Sequence, residues 1–190
     1  MRSFLAVALR EPALSETGRL LAELATVVPR RECRWARAEG LHLTLHFFGE
    51  LDEGRVGEVL AAVGPVAAAT PPFEIVLGGL GSFPPRREPR VLWLGVGGGG
   101  EPLGVLARAC RARLGDAGFD VDERPYSAHC TLGRPRPGWS AQARAAWMRF
   151  QEREPAVAPF TASAVTLFRS RPEPSGAVHE VVAEVALGAG

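Results

Sequence analysis

One motif that occurs twice constrains the fold more than any other feature of this sequence. The pattern H-x-T-L stands at residues 42–45 and again at 129–132. In a β-strand, residues i and i+2 share a face, so each copy aims one imidazole and one hydroxyl in the same direction while Leu43 or Cys130 points into a core. Two such strands side by side predict a cleft floor that carries two histidines and two threonines.

The surrounding pattern supports strands separated by helices. Residues 41–48, LHLTLHFF, alternate with a period of two, which is typical of a half-buried strand. Apolar residues at helical spacing, together with proline and glycine boundaries, predict four helices, at 11–28, 51–70, 101–118 and 139–153. The remaining apolar runs predict strands at 3–9, 73–84, 89–96, 127–134, 160–170 and 177–187, with a short edge strand near 33–40. This order predicts an α+β or mixed α/β fold. No linker divides the chain, so residues 1–190 are expected to form one domain.

Two imidazoles on one surface suit a particular chemistry. Both titrate near neutral pH, so one can act as a general base and the other as a general acid. Threonine hydroxyls suit the non-bridging oxygens of a phosphate. In-line displacement at phosphorus needs a base on the entering oxygen and an acid on the leaving oxygen, and it requires neither a nucleophilic side chain nor a metal. The two copies are symmetric, so the residues alone do not decide which histidine is the acid.

Four segments of the sequence resemble one known family from end to end: LHLTLHFFGEL, GLGSFPPRREPRVLWLGV, RPYSAHCTLGRPR and VTLFRSRPEPSGAVHEVVAEVAL. The chain resembles the bacterial and archaeal RNA 2',3'-cyclic phosphodiesterases, also called 2'-5' RNA ligases, of the two-histidine phosphoesterase superfamily. It departs from the family pattern at Ala128, where proline is usual, and at His179, where tyrosine is common.

The resemblance implies a bilobal α+β fold, in which two antiparallel sheets face a central cleft, helices lie outside, and a pseudo-two-fold axis relates lobes with one motif each. It also implies hydrolysis of a terminal RNA 2',3'-cyclic phosphate to a 2'-phosphate. His42 then protonates the leaving 3'-oxygen, His129 activates water, and Thr44 and Thr131 hold the phosphate. No metal or other cofactor is expected. The alternatives are another cyclic or 2'-5'-linked nucleotide as substrate, or a non-catalytic module that binds RNA ends.

Two charged or titratable neighbours are candidate substrate contacts. Strict alternation puts His46 on the face of His42, where it contacts substrate, orients His42 or faces water at the rim. Zinc binding by this pair is disfavoured, because the His pair of zinc proteases lies on a helix with a glutamate between. Arg134 suits phosphate, although an unbroken strand puts it on the face opposite His129 unless Gly133 bends the chain.

Aromatic and basic residues near the motifs are further candidates. Phe48 and Tyr126 flank the two motifs, where they stack on a terminal base or simply pack. Arg86, Arg87 and Arg90 form a basic loop that either meets the RNA backbone or is solvated. His179 is interpreted as structural, and Cys130 as a core residue rather than a reactive thiol.

Composition restricts the partners and the compartment. With 22 Lys and Arg against 21 Asp and Glu, the net charge of +1 gives no basis for wrapping long nucleic acid. The family resemblance implies the single-stranded end of an RNA as the partner, and the expected state is a monomer. Three cysteines without a paired spacing favour a reducing cytoplasm. The N-terminal apolar run is interpreted as a strand rather than a signal peptide, and no run is long enough to predict a transmembrane helix.

Overall fold

A computed structural model describes residues 1–85, 88–173 and 176–188 of the chain. The predicted basic loop is therefore only partly covered, since Arg86 and Arg87 lie outside the described residues.

The strands and helices follow the predicted order. In the described part of the chain, the α-helices are Ala13–Val27 (α1), Val56–Ala69 (α2), Gly100–Asp116 (α3) and Ala141–Gln151 (α4). The strands are Arg2–Ala8 (β1), Cys33–Trp35 (β2), His42–Glu50 (β3), Phe73–Phe83 (β4), Val91–Gly98 (β5), His129–Pro135 (β6), Phe160–Ala162 (β7), Ala164–Arg171 (β8) and Val178–Ala186 (β9). Ser140 caps α4, because its hydroxyl oxygen accepts a hydrogen bond from the Ala143 amide at 3.1 Å.

The strands form one curled antiparallel sheet in the order β7-β4-β5-β6-β3-β1-β8-β9, with β2 paired to β6. The order is symmetric about a seam between β6 and β3, the two strands that carry the motifs. The predicted α+β class with antiparallel sheets and outer helices is confirmed. The two predicted sheets are the two halves of this sheet, and Leu43 pairs with Cys130 at the seam that joins them.

One predicted strand is wrong, because residues 160–170 form two strands rather than one. The strand β7 pairs with β4 at one edge of the sheet, whereas β8 pairs with β1 and β9 in the other half. Only Ser163 separates the two strands in the sequence. The chain therefore passes from one half of the curled sheet to the other within one residue. Apolar alternation continues through the break and therefore does not reveal it.

The hydrophobic core lies on one face of the sheet, under the helices. Leu43, Leu92 and Leu132 point into it from the central strands, and Leu103 and Trp147 reach it from α3 and α4. A separate small cluster, Phe4, Ala6 and Phe168, is buried on the opposite face of β1 and β8. The middle of β1 is thus buried on both faces, which explains its uninterrupted apolar run.

Two further expectations concern the whole chain. Cys33, Cys110 and Cys130 are all buried and free, in agreement with the absence of a disulfide pattern in the sequence. In the part of the chain that the structure describes, no helix combines the length and the apolar character needed to cross a membrane. The cytoplasmic location and the monomeric state stay predictions.

Candidate active site

The two motifs meet at the seam of the sheet. Leu43 and Cys130, the middle residues of the two motifs, lie opposite each other in the antiparallel pair of β3 and β6, and both are fully buried in the core. The residues on either side therefore emerge on the opposite face. We call this surface the histidine face, defined by His42, Thr44, His129 and Thr131.

The neighbouring strands place a small residue opposite each of the two motif histidines. In the register of β1 and β3, Ala8 lies opposite His42. In the register of β5 and β6, Gly95 lies opposite His129. Small residues at equivalent places on the two sides of the seam are consistent with the pseudo-two-fold relation between the halves.

Both histidine rings are held in the same way. The Nδ1 atom of His42 is 2.7 Å from the carbonyl oxygen of Gly40, and the Nδ1 atom of His129 is 2.8 Å from the carbonyl oxygen of Ser127. A carbonyl oxygen only accepts, so each Nδ1 carries the hydrogen and donates it. In the neutral ring, Nε2 then presents its lone pair. Each half of the sheet therefore supplies one oriented Nε2 atom.

Aromatic rings surround the two imidazoles. The ring of Phe4 stacks on His42 with centroids 4.4 Å apart, and His179 meets the same imidazole edge-on at 5.1 Å. Across the seam, Phe83 meets His129 edge-on at 5.1 Å, with Trp93 beyond it. These walls remove water from the rings on both sides of the seam.

Burial lowers the pKa of both motif histidines. The pKa of His42 falls to about 4, first through burial and then through the charges of His179 and His129, while its bond to Gly40 acts in the opposite direction. The pKa of His129 is lowered from its ordinary value, again mainly by burial. Both rings are therefore neutral at pH 7, and an anionic ligand favours their protonation.

A β-bulge follows the threonine in each motif. Ala6 pairs with Thr44 and Leu5 pairs with His46, so Leu45 is an extra residue in β3. In β6, Trp93 pairs with Thr131 and Leu92 with Gly133, so that strand also carries an extra leucine after its threonine. An extra residue shifts the alternation of side chains by one position. The residues three places after each threonine, rather than two places, therefore return to the histidine face.

The bulge decides the position of Arg134. Its extra residue, Leu132, places Gly133 on the core side, where a Cβ atom would lie 2.6 Å from the ring of Trp35. Arg134 consequently shares the face of Thr131, and its positive charge contributes to the lowered pKa of His129. The sequence indicates that this placement depends on a bend of the strand at Gly133. In the structure, the β-bulge at Leu132 produces this change of side.

The predicted placement of His46 on the histidine face is wrong. The bulge at Leu45 turns His46 away from that face, so its side chain is only 1% exposed and meets Phe48 edge-on at 4.6 Å. Its place is taken by Phe47, which is 63% exposed and whose ring lies 5.8 Å from that of Phe4. The sequence pattern carries no signal for this exchange.

The two flanking aromatics are also not brought to the histidine face. Phe48 is partly buried against the core and packs edge-on against Phe119 at 5.6 Å. The ring of Tyr126 packs beside α3, 5.4 Å from the guanidinium of Arg111, and its hydroxyl is buried. Base stacking by either residue is therefore not supported. The residues that sequence reasoning misses at the site are Phe4, Phe47 and Trp93, together with His179, for which it predicts only a structural role.

Comparison with known proteins gives the family. The model of the 2'-5' RNA ligase superfamily matches residues 13–173. The chain belongs to the 2'-5' RNA ligase superfamily. The expectation of this family, and with it of an enzyme, is confirmed.

Individual members of the 2'-5' RNA ligase superfamily are similar over nearly the whole chain. The RNA 2',3'-cyclic phosphodiesterase of Methanothermobacter thermautotrophicus is 32% identical over 94% of this chain and 95% of its own. The protein of that name from Geobacillus stearothermophilus is 30% identical over 98% of this chain, which spans only 57% of that relative. A solved structure from Thermus thermophilus matches with a TM-score of 0.73, 28% identity and coverage of 99% and 98%. Escherichia coli LigT without ligand shares the fold, with a TM-score of 0.74, 23% identity and coverage of 98% and 96%.

Proposed function

We propose that this protein hydrolyses RNA 2',3'-cyclic phosphate ends to 2'-phosphomonoesters by general acid–base catalysis with His42 and His129. The observation that carries the proposal is the pair of equivalent imidazoles on one face, each with Nδ1 held by a carbonyl and Nε2 presenting its lone pair. Relatives named RNA 2',3'-cyclic phosphodiesterase support the substrate class. We further propose that residues 1–190 act as one bilobal domain, to which each half of the sheet contributes one motif.

The chemistry follows from the two Nε2 atoms. The Nε2 atom of His129 takes a proton from water, whose oxygen forms the new bond to phosphorus. The bond from phosphorus to the 3'-oxygen breaks, and His42 delivers the proton from its Nε2 to that oxygen. The phosphate remains on the 2'-oxygen. A neutral His129 suits the base role, and the negative charge of the phosphate raises the pKa of His42 so that it can carry the proton.

Three further side chains on the histidine face are assigned to the phosphate. The hydroxyls of Thr44 and Thr131 donate to the non-bridging oxygens, and the guanidinium of Arg134 offsets their negative charge. Neither the proton transfers nor the displacement at phosphorus in this scheme uses a metal ion. The assignment of acid and base rests on the family resemblance, since the hydrogen bonds of the two rings are equivalent.

The first experiment follows conversion of a short RNA with a 2',3'-cyclic phosphate end, in excess EDTA. The wild type is expected to produce a 2'-phosphate end, and His42→Ala and His129→Ala are each expected to be roughly 10²- to 10⁴-fold slower. His46→Leu is the matched control, because its side chain lies off the histidine face, and it is expected to retain the wild-type rate. A wild type that binds the RNA without turnover would instead indicate a module that binds RNA ends.

A second substrate separates the acid from the base. If sulfur replaces the bridging 3'-oxygen, the leaving group departs without protonation. The His42→Ala variant should then recover most of its lost rate, while His129→Ala should remain slow. Recovery by His129→Ala alone would reverse the two roles. Cyclic mononucleotides and 2'-5'-linked dinucleotides assayed in parallel test the alternative substrates.

A further inference from the structure

Two arginines face each other directly beside the proposed active site. In the antiparallel pair of β2 and β6, Arg34 lies opposite Arg134, and both side chains are exposed. Like charges in directly opposite positions destabilise a sheet. Neither side chain can turn to the other face, because Cys33 and Trp35, which flank Arg34, fill the core there. The pair therefore keeps two positive charges at one end of the histidine face.

A third arginine approaches from the other half of the sheet. Arg2 lies on β1 two residues before Phe4, so it shares the face on which Phe4 stacks against His42. Partial burial lowers the pKa of Arg134, and the charges of Arg2 and Arg34 lower it further. Arg2 thus shares the face that carries the Arg34 and Arg134 pair, and its charge acts on Arg134.

Glu50 lies opposite Arg2 in the register of β1 and β3, but its carboxylate contacts the N-terminal amine, at 3.5 Å, rather than an arginine of this cluster. Within residues 1–85, 88–173 and 176–188, no carboxylate forms an ion pair with Arg2, Arg34 or Arg134. By contrast, Arg37, three residues after Arg34, meets Glu173 at 2.6 Å, and Arg10 meets Glu184 at the same distance. Converging guanidinium groups without a carboxylate are the arrangement that binds phosphate well.

Within this cluster, Arg134 follows Thr131 on β6, and Thr131 is the threonine proposed to hold the reacting phosphate. Thr131 and Arg134 are three residues apart with one bulge between them, so their Cα atoms are separated by about 7 to 10 Å along the strand. A second phosphate bound here therefore belongs to the nucleotide next to the reacting one. In an RNA with a 3'-terminal cyclic phosphate, that group is the phosphodiester on the 5' side of the terminal nucleotide.

We propose that Arg2, Arg34 and Arg134 form a second anion site, which binds the phosphodiester preceding the terminal cyclic phosphate. The site makes the enzyme prefer RNA ends over cyclic mononucleotides. This inference rests on the proposed function for the identity of the reacting group. Arg134 lies between the two phosphates, whereas Arg2 and Arg34 serve the second one only.

The test compares two dinucleotides that end in a 2',3'-cyclic phosphate, one with the ordinary charged linkage and one with an uncharged methylphosphonate linkage. The third substrate is the cyclic mononucleotide, which lacks the linkage. For the wild type, kcat/KM should be roughly 5- to 20-fold higher for the charged dinucleotide than for the uncharged one. Arg34→Gln should remove most of this preference and leave the mononucleotide rate unchanged. Arg2→Gln should have the same effect with a smaller magnitude.

The control is Arg19→Gln, which removes one positive charge from an exposed position of α1 where Arg19 pairs with Glu16. It should behave as the wild type with all three substrates. The salt dependence gives a second readout, since loss of one phosphate contact should reduce the slope of log(kcat/KM) against log[salt] by about 0.7 for a single strand. Equal slowing of all substrates by Arg34→Gln, or equal wild-type rates on both dinucleotides, would overturn the second site.

A binding experiment separates this inference from the proposed function. In the His129→Ala background, the Kd values of the two dinucleotides are measured without turnover. Tighter binding of the charged dinucleotide, lost in His129→Ala with Arg34→Gln, supports the anion site even if the wild type hydrolyses neither substrate. Equal affinity for the two dinucleotides excludes the site even if the wild type hydrolyses both.

Discussion

His46 gives the sharpest test of the bulge in β3, because that bulge buries an ionisable ring. The side chain is 1% exposed, and neither ring nitrogen has a hydrogen-bond partner among the described residues. Burial lowers its pKa to about 4, the charge of Arg111 adds to this effect, and Asp120 and Asp122 oppose it. His42, on the histidine face, also has its pKa lowered to about 4 by burial, but its Nδ1 atom bonds to the carbonyl oxygen of Gly40.

The lowered pKa makes stability depend on pH. An unfolded histidine has a pKa of about 6.5, whereas folded His46 binds its proton only near pH 4. Between these values the unfolded chain binds one more proton than the folded chain. The contribution to the free energy of unfolding is therefore fully present above pH about 6.5 and is lost as the pH falls toward 4. The pKa difference of about 2.5 corresponds to roughly 3 kcal/mol, at about 1.36 kcal/mol per unit.

The perturbation is His46→Leu, which removes both unpaired nitrogens and keeps an apolar side chain in the space. Urea unfolding is measured from pH 7.5 to pH 4. Near pH 7.5 the variant is expected to be within about 1 kcal/mol of the wild type, or more stable, because no hydrogen bond is lost. As the pH falls to 4, the free energy of unfolding of the variant should rise relative to that of the wild type by roughly 3 kcal/mol.

The matched control is Phe47→Leu, at the adjacent position of β3. Phe47 is exposed and does not titrate, so this variant should show the same loss of stability in acid as the wild type. If His46→Leu retained the wild-type dependence on pH, or if it raised KM for the RNA, then His46 would face the substrate and the bulge would be misplaced.

Three other results are expected. Gly133→Ala should cost about 1 to 3 kcal/mol of unfolding free energy in urea, because its Cβ would lie 2.6 Å from the ring of Trp35; Gly57→Ala, with open space around it in α2, should be neutral or stabilising. Long-range ¹H–¹⁵N spectra at pH 7 should show His42 and His129 neutral with hydrogen on Nδ1, and a charged ring or hydrogen on Nε2 would contradict the carbonyl contacts. Inorganic phosphate should raise both pKa values in the same spectra, because its negative charge favours the imidazolium form.

The sequence predicts that the histidine and threonine of each motif lie on one face, because that placement depends on a short-range rule. Alternation within a strand requires that His42 and Thr44 share a face, whatever the rest of the fold does. The repetition of the motif at 129–132 then indicates that two such faces cooperate. The sequence also indicates that the face on which Arg134 lies depends on Gly133, because a glycine within a strand often marks a bend.

Positions beyond the threonines cannot be predicted from the same rule. A bulge depends on how two paired strands match their hydrogen bonds, and Leu45 and Leu132 have side chains that fit regular alternation equally well. Strict period two therefore places His46 on the wrong face and gives no reason to consider Phe47. The break at Ser163 escapes prediction for a similar reason, since it reflects the curl of the whole sheet rather than a local preference.

The sequence by itself thus indicated the two pairs of histidine and threonine through local periodicity and a repeated motif, and its resemblance to a known family implied the α+β class. The tertiary structure decided which neighbours accompany them. The bulges brought Arg134 and Phe47 to the histidine face and buried His46, and the pairing of β2 with β6 set Arg34 opposite Arg134. Such contacts join residues distant in the chain, and only the register of the folded sheet specifies them.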